Sequence, residues 1–333
     1  MKLIVASCCL IAAAGISLCG AADSNSVPGA FTPAQFGREP RVHDPSTIVK
    51  SKDDYWLFVT GPGIISRHSK DLLTWSDGPR VFSSVPDWTS RTIPGNRGYF
   101  WAPDVTRLPN GYFLYYSVST WGKNTSAIGL ATNSTLDPND SGFAWRDGGV
   151  VIQSRSNDVY NAIDPSVLLD RDNRLWLAVG SYWTGIKLVE LNPQTGLRIG
   201  QDSPMYSLAW NRSIEAACLS SFEKNYYLFV NWGQCCRGTN STYEIRVGRS
   251  ANVTGPYLDR TGKDMLQGGG SLFAGSSGQR IGPGHAGILT ANAKTYVSFH
   301  YYSADHGGRP RLEIVPLKWT ADGWPEAGTP IIE

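Results

Sequence analysis

Five short polar motifs recur along this chain, and each is followed by an apolar run. The motifs are His43-Asp44-Pro45-Ser46, Trp101-Ala102-Pro103-Asp104, Asn161-Ala162-Ile163-Asp164-Pro165-Ser166, Ser213-Ile214-Glu215-Ala216-Ala217 and Pro283-Gly284-His285-Ala286-Gly287. Their polar centres, Asp44, Asp104, Asp164, Glu215 and His285, are spaced 60, 60, 51 and 70 residues apart by subtraction of sequence numbers. The runs that follow begin at Tyr55, Tyr112, Leu175, Tyr226 and Tyr296. They are aromatic and β-branched, and Gly, Asn, Asp or Lys turns precede them, which is the pattern of buried strands. A fixed period of this length signals a repeat architecture. Five β units with no helical segment between them predict an all-β fold, a single five-bladed β-propeller.

In such a fold the five polar centres take one equivalent place on the innermost strands and converge on a central cavity. Folding alone does not call for ionisable groups there, and burying them costs stability unless they are paired. The constellation is therefore a candidate active site. Asp-Pro is also a common turn pair, but two copies of Asp-Pro-Ser in register with Glu215 and His285 favour a site. Asp104, one register off and behind Pro103, is expected to be structural. Trp101 beside it is a candidate stacking platform. Glycoside hydrolysis needs one protonated and one ionised carboxyl group across a cleft. Blades one and four lie apart on a five-membered ring, so Asp44 and Glu215 are placed to face each other, with Asp164 raising the acid's pKa and orienting the sugar. The glycines around His285 permit close backbone approach to something central. The register of His285 with the acids suggests an axial ion or water cluster.

Residues 1–22, with Lys2, an apolar run and small residues near Gly20-Ala21-Ala22, are expected to form a secretory signal peptide. No other segment is long and apolar enough to span a membrane. Residues 23–333 are expected to form one propeller domain, a monomer, with a lead-in over 23–40 and with loops 83–98 and 261–281 rimming the cavity. Loss of Lys2 leaves 29 basic against 28 acidic residues, from totals of 30 and 28. Such a balance argues against a nucleic-acid partner. The cysteines outside the leader are Cys218, Cys235 and Cys236. Either Cys235 and Cys236 bridge each other or one of them pairs with Cys218, and one thiol stays free. Six Asn-x-Ser/Thr triplets, at Asn124, Asn133, Asn139, Asn211, Asn240 and Asn252, are glycan acceptors only in a eukaryotic secretory route.

The ordered motifs, together with Gly180-Ser181-Tyr182-Trp183-Thr184-Gly185-Ile186 and Cys235-Cys236-Arg237-Gly238, make the chain resemble the endo-arabinanases of glycoside hydrolase family 43. The resemblance implies a secreted, inverting enzyme acting on α-1,5-linked arabinan. It implies Asp44 as general base, Glu215 as general acid and Asp164 as the acid that tunes it. Trp101, Asn161, Ser181 and Trp183 become the substrate-binding positions. His285 becomes the residue near an axial metal, usually calcium, acting largely through bound water because calcium prefers oxygen ligands. One departure is Ala216-Ala217 after Glu215, where many relatives have Ala-Pro. An exo-acting arabinofuranosidase or xylosidase of the same fold, a retaining relative, and a non-catalytic sugar-binding propeller are the alternatives.

Overall fold

The computed structural model describes residues 41–291 and 293–332. The expected signal peptide and lead-in fall outside the described residues. Strands β1 (Val49–Ser51), β2 (Asp54–Val59), β3 (Gly61–Pro62), β4 (Ile65–Ser69) and β5 (Ser76–Asp77) come first, and β1, β2, β4 and β5 form blade one. The short β3 pairs instead with blade two, made of β6 (Tyr99–Leu108), β7 (Gly111–Val118), β8 (Ser126–Asn133) and β9 (Arg146–Ser154). Blade three holds β10 (Ser166–Leu169), β11 (Leu175–Val179), β12 (Ile186–Leu191) and β13 (Met205–Ala209). Blade four holds β14 (Ile214–Phe222), β15 (Asn225–Trp232), β16 (Glu244–Ser250) and β17 (Ser271–Ala274). Blade five holds β18 (Arg280–Ala291), β19 (Lys294–Ser303), β20 (Arg309–Trp319) and β21 (Pro325–Ala327). Every pairing is antiparallel, and apart from β2–β4 and β3–β6 each joins consecutive strands. The fold is the expected five-bladed β-propeller.

The apolar runs become the second strand of each blade. Their side chains are buried on both faces because each blade is sandwiched between two others, so they read as continuous rather than alternating apolar segments. The core divides into five clusters, one at each blade interface. Leu57 and Val59 of blade one, for example, meet Leu289 and Ile314 of blade five, which closes the ring. Phe58 and Trp56 meet Phe100 and Tyr116 across the interface of blades one and two. Tight connections between first and second strands use left-handed residues such as Lys52 and Glu223, with φ of +53° and +50°, as two-residue hairpins demand.

Two expected loops are corrected. Residues 83–98 contain a helix, α1 (Asp87–Thr92), and residues 261–281 contain β17, the outermost strand of blade four. Neither segment lines the central cavity. Trp88 of α1 reaches outward to Asp147 of β9, with its indole N–H donating over 3.1 Å. Met265 is drawn into the apolar core between blades three and four. Burial of apolar side chains, rather than a role at the rim, fixes both segments.

Candidate active site

At the head of each blade one residue has a left-handed backbone: Asp44, Ala102, Asp164, Ala216 and His285, with φ of +48°, +42°, +57°, +53° and +62°. Where these residues lie inside strands, the ladder bulges at the same place, between Trp101 and Asp104, Glu215 and Cys218, and Gly284 and Gly287. A bulge bends the strand and re-aims its side chains. Here it turns them toward the propeller axis.

These five residues correct the register read from sequence. Glu215 stands one position before the left-handed residue of its blade, and Asp104 stands two after, level with Ser46 and Ser166. The polar centres therefore occupy three neighbouring positions rather than one. Asp104 is structural, as expected. Its carboxylate accepts the N–H of Thr47 at 2.9 Å and of Val167 at 2.8 Å, tying blade two to blades one and three. Ser166 makes the corresponding single tie to Leu219 N–H at 2.9 Å.

Each left-handed residue leaves an N–H that a side chain of the preceding blade accepts. His300 Nδ1 takes that of Asp44 at 3.1 Å, Thr60 Oγ1 that of Ala102 at 2.8 Å, Ser117 Oγ that of Asp164 at 2.9 Å, and Asn231 Oδ1 that of His285 at 2.8 Å. Four of these acceptors stand at the end of the apolar run of their blade. In blade three that place is Gly180, and Asp164 itself accepts the N–H of Ala216 at 3.1 Å.

Asp44, Asp164, Glu215 and His285 line one cavity of about 1270 Å³ at the centre of the ring. Trp101, Asn161, Ser181 and Trp183 line it too, so the structure gathers every candidate site residue. The two outer carboxyl groups sit in opposed environments. Burial works to raise the Asp44 pKa, but His43, His285 and His300 around it hold it well below the usual carboxylate range. His43 Nδ1 is 2.8 Å from Asp44 Oδ2, while His285 and His300 Nδ1 are 3.7 and 3.8 Å from Oδ1. Burial pushes Glu215 up, hydrogen bonds from Tyr243 and Ser181 draw it back, and the charge of Asp44 raises it again. Asp164 is raised by burial, then by the charges of Glu215 and Asp44. One cavity thus holds an ionised carboxylate and a pair of carboxyl groups that favour a proton.

The sequence profile of glycosyl hydrolases family 43 matches residues 39–325. The chain belongs to glycosyl hydrolase family 43. It is 41% identical over 299 residues, 86% of each chain, to an extracellular exo-α-(1→5)-L-arabinofuranosidase of Cellvibrio japonicus (strain Ueda107). It is 40% identical over 292 residues, 85% of this chain and 87% of the relative, to an extracellular endo-α-(1→5)-L-arabinanase of Bacillus subtilis (strain 168). The solved structure of a Cellvibrio cellulosa α-L-arabinanase complexed with arabinohexaose superposes with a TM-score of 0.82 at 40% identity, covering 87% of this chain and 96% of that one.

Within this family 43 site, Ser181 is committed to Glu215, donating to Oε2 at 2.7 Å. Asn161 is buried, and its carbonyl oxygen accepts from Ser126 Oγ at 2.7 Å. Trp101 sits edge-on to Trp121, whose ring is exposed at the rim, with centroids 6.4 Å apart. Trp183 is half exposed on the other side, and its carbonyl accepts the Trp210 indole N–H at 3.2 Å.

Residue reasoning missed Tyr243, whose buried hydroxyl donates to Glu215 Oε1, and missed the acceptors Thr60, Ser117, Asn231 and His300. Their signal was present as the polar residue that ends each apolar run. Cys235 and Cys236 bridge each other on the cavity wall, and Cys218 is a buried free thiol. Among the glycan triplets, Asn124 and Asn133 are buried, and the Asn124 amide donates to three backbone carbonyls.

The donor set around the axis is rich in nitrogen. The tightest group among the described residues, His43, Asp44 and His300, is largely committed to internal contacts: both His43 nitrogens and His300 Nδ1 already have partners. Calcium prefers oxygen ligands, which this nitrogen-rich group does not supply, so a cation beside His285 would have to be held through water.

Proposed function

We propose that this family 43 chain cleaves internal α-1,5-L-arabinofuranosidic bonds of arabinan in one displacement with inversion. The observation that carries the reading is the opposed electrostatics of Asp44 and Glu215 within one cavity. Asp44, held ionised, takes a proton from water as its oxygen bonds to the anomeric carbon. Glu215, held protonated, delivers its proton to the departing glycosidic oxygen as that bond breaks. Asp164 and Glu215 repel as like charges, so the pair retains a proton, and Asp164 fixes the backbone after Glu215 through the Ala216 N–H. A divalent cation held through water at His285 would supply positive charge beside Asp44. The arabinan assignment draws on the relatives above, as does secretion, which accords with the expected leader.

Trp101 and Trp121 on blade two, with Trp183 on blade three, offer apolar faces for a chain crossing the catalytic pair on both sides, which favours internal cleavage. Release of single terminal arabinose units is the second reading, favoured by the similarity to the Cellvibrio japonicus exo-enzyme. Incubation with linear arabinan decides between them. Internal cleavage gives a ladder of oligomers at early times and an inverted product anomer by NMR. Monomer or one fixed short product from the outset overturns the endo assignment, and a retained anomer overturns single displacement.

A further inference from the structure

Behind Asp44 runs a line of hydrogen bonds that hydrolysis alone does not call for. A disulfide between adjacent residues closes no chain loop, so it takes little entropy from the unfolded chain and is not a staple of the fold. The Cys235–Cys236 bridge instead defines a local turn. There Cys236, at φ +68°, directs its N–H to the Tyr302 hydroxyl oxygen over 2.7 Å. That oxygen is 2.9 Å from His43 Nε2, and His43 Nδ1 is 2.8 Å from Asp44 Oδ2.

The donors along this line fall into one order when the His43 ring is neutral. A backbone N–H only donates, so the Tyr302 oxygen accepts from Cys236. In that ring Nδ1 faces the Asp44 carboxylate, which only accepts, so Nε2 is the bare nitrogen and takes the one hydrogen of Tyr302. Nδ1 carries the ring hydrogen and donates it to Asp44 Oδ2. The other tautomer would set the Nδ1 lone pair against a carboxylate oxygen. Thr60 obeys the same rule: its hydroxyl oxygen accepts the Ala102 N–H at 2.8 Å and so gives its hydrogen to Asp44 Oδ2 at 2.6 Å. Oδ2 thus receives two donors, whereas Oδ1 receives a hydrogen bond from none of the described residues.

We propose that Tyr302, aligned by the Cys235–Cys236 turn, locks His43 in the Nδ1–H tautomer, and that His43 and Thr60 together hold Oδ2 so that Oδ1 is the oxygen that meets the attacking water. Tyr302 and His43 are positioning residues. Their kinetic role rests on the reading of Asp44 as general base, but the tautomer does not.

The test is nitrogen NMR of the folded protein with 15N-labelled imidazoles, the His43 signals being assigned by their loss in His43→Asn. The expected spectrum has a pyrrole-type Nδ1 and a pyridine-type, hydrogen-bonded Nε2, and Tyr302→Phe moves the Nε2 signal to that of a pyridine-type nitrogen without a hydrogen bond. With linear arabinan, Tyr302→Phe is expected to lower kcat about tenfold at nearly constant KM. His43→Asn, whose amide can stand in for the Nδ1–H donor, keeps about tenfold more kcat than His43→Ala. A wild-type His43 protonated on Nε2, alone or on both nitrogens, overturns the proposal even if a variant fails to fold. The expected tautomer with unchanged kcat in Tyr302→Phe, and no advantage of Asn over Ala, overturns the positioning role. Full activity of Asp44→Asn would instead remove the base assignment and leave the tautomer standing.

Discussion

Gly180 has no side chain to offer the N–H of Ala216, and the Asp164 carboxylate accepts that N–H in its place, at 3.1 Å. In the other four blades a Thr, Ser, Asn or His does this work. Gly180 cannot be replaced simply. Its φ is +144°, and a Cβ there would lie 2.4 Å from the Gly185 carbonyl oxygen. The exchange brings a carboxylate to the residue that follows Glu215.

Asp164→Asn removes a charge whose repulsion with Glu215 is mutual, so the Glu215 pKa falls. The general acid works only when protonated, so the basic limb of the kcat–pH profile moves to lower pH. Loss of acid tuning should also lower kcat by roughly 10-fold or more. A basic limb that stays put would leave Asp164 with only its backbone contact.

Glu215→Gln and Asp44→Asn keep volume and remove the acid and the base. Each should lower hydrolysis of linear arabinan by roughly 10²–10⁴-fold while the circular dichroism of the propeller persists. Glu215→Ala, in contrast, also strands the buried Tyr243 and Ser181 hydroxyls, at a cost of about 1–3 kcal/mol each. Its melting temperature should therefore lie below that of Glu215→Gln. Near-normal turnover in either isosteric variant would refute the assignment.

Gly284 makes room for the tyrosine that holds Glu215. A Cβ at this position would stand 2.3 Å from Tyr243 Cδ2 and 2.7 Å from the Asn231 amide nitrogen. Gly284→Ala should push the Tyr243 ring aside, lowering both kcat and the melting temperature. Combining it with Tyr243→Phe should cost less kcat than the two changes multiplied, since both act through one hydroxyl. Strict additivity would show that the two do not share a mechanism.

Asp104 is buried, and burial, opposed by the N–H groups of Val167 and Thr47, raises its pKa from 3.8 to about 6. The folded state therefore binds this proton more tightly than the unfolded chain does. The resulting stability is complete below pH 4 and fades as pH rises through 6, by about 3 kcal/mol in all. Asp104→Asn lacks this dependence. Its deficit relative to wild type should shrink between pH 4 and pH 7 in urea melts, and a deficit that widens would reverse the sign.

Much of the fold was legible because a propeller repeats its text. The runs ending at Val59, Tyr116, Val179, Val230 and His300 are apolar on both faces and sit at one period, and a strand squeezed between two blades needs that composition. The spacing also marked Asp44, Asp164, Glu215 and His285 as a group. It misplaced the register of Glu215 and Asp104, because a bulge inserts residues without a compositional mark. It also misjudged 83–98 and 261–281, where α1 and β17 are fixed by contacts to distant strands.

The sequence by itself determined the number of blades, the strands that fill their interfaces and the set of polar residues delivered to the axis, since periodicity and hydrophobicity are local properties of the text. Only the tertiary structure decided which oxygen each donor meets. Asp44 is surrounded by histidines from blades one and five, Glu215 by Ser181 and Tyr243 from blades three and four. The opposite shifts of the two carboxyl groups come from those long-range neighbours, because burial and Coulomb interaction depend on distance in space and not on separation along the chain.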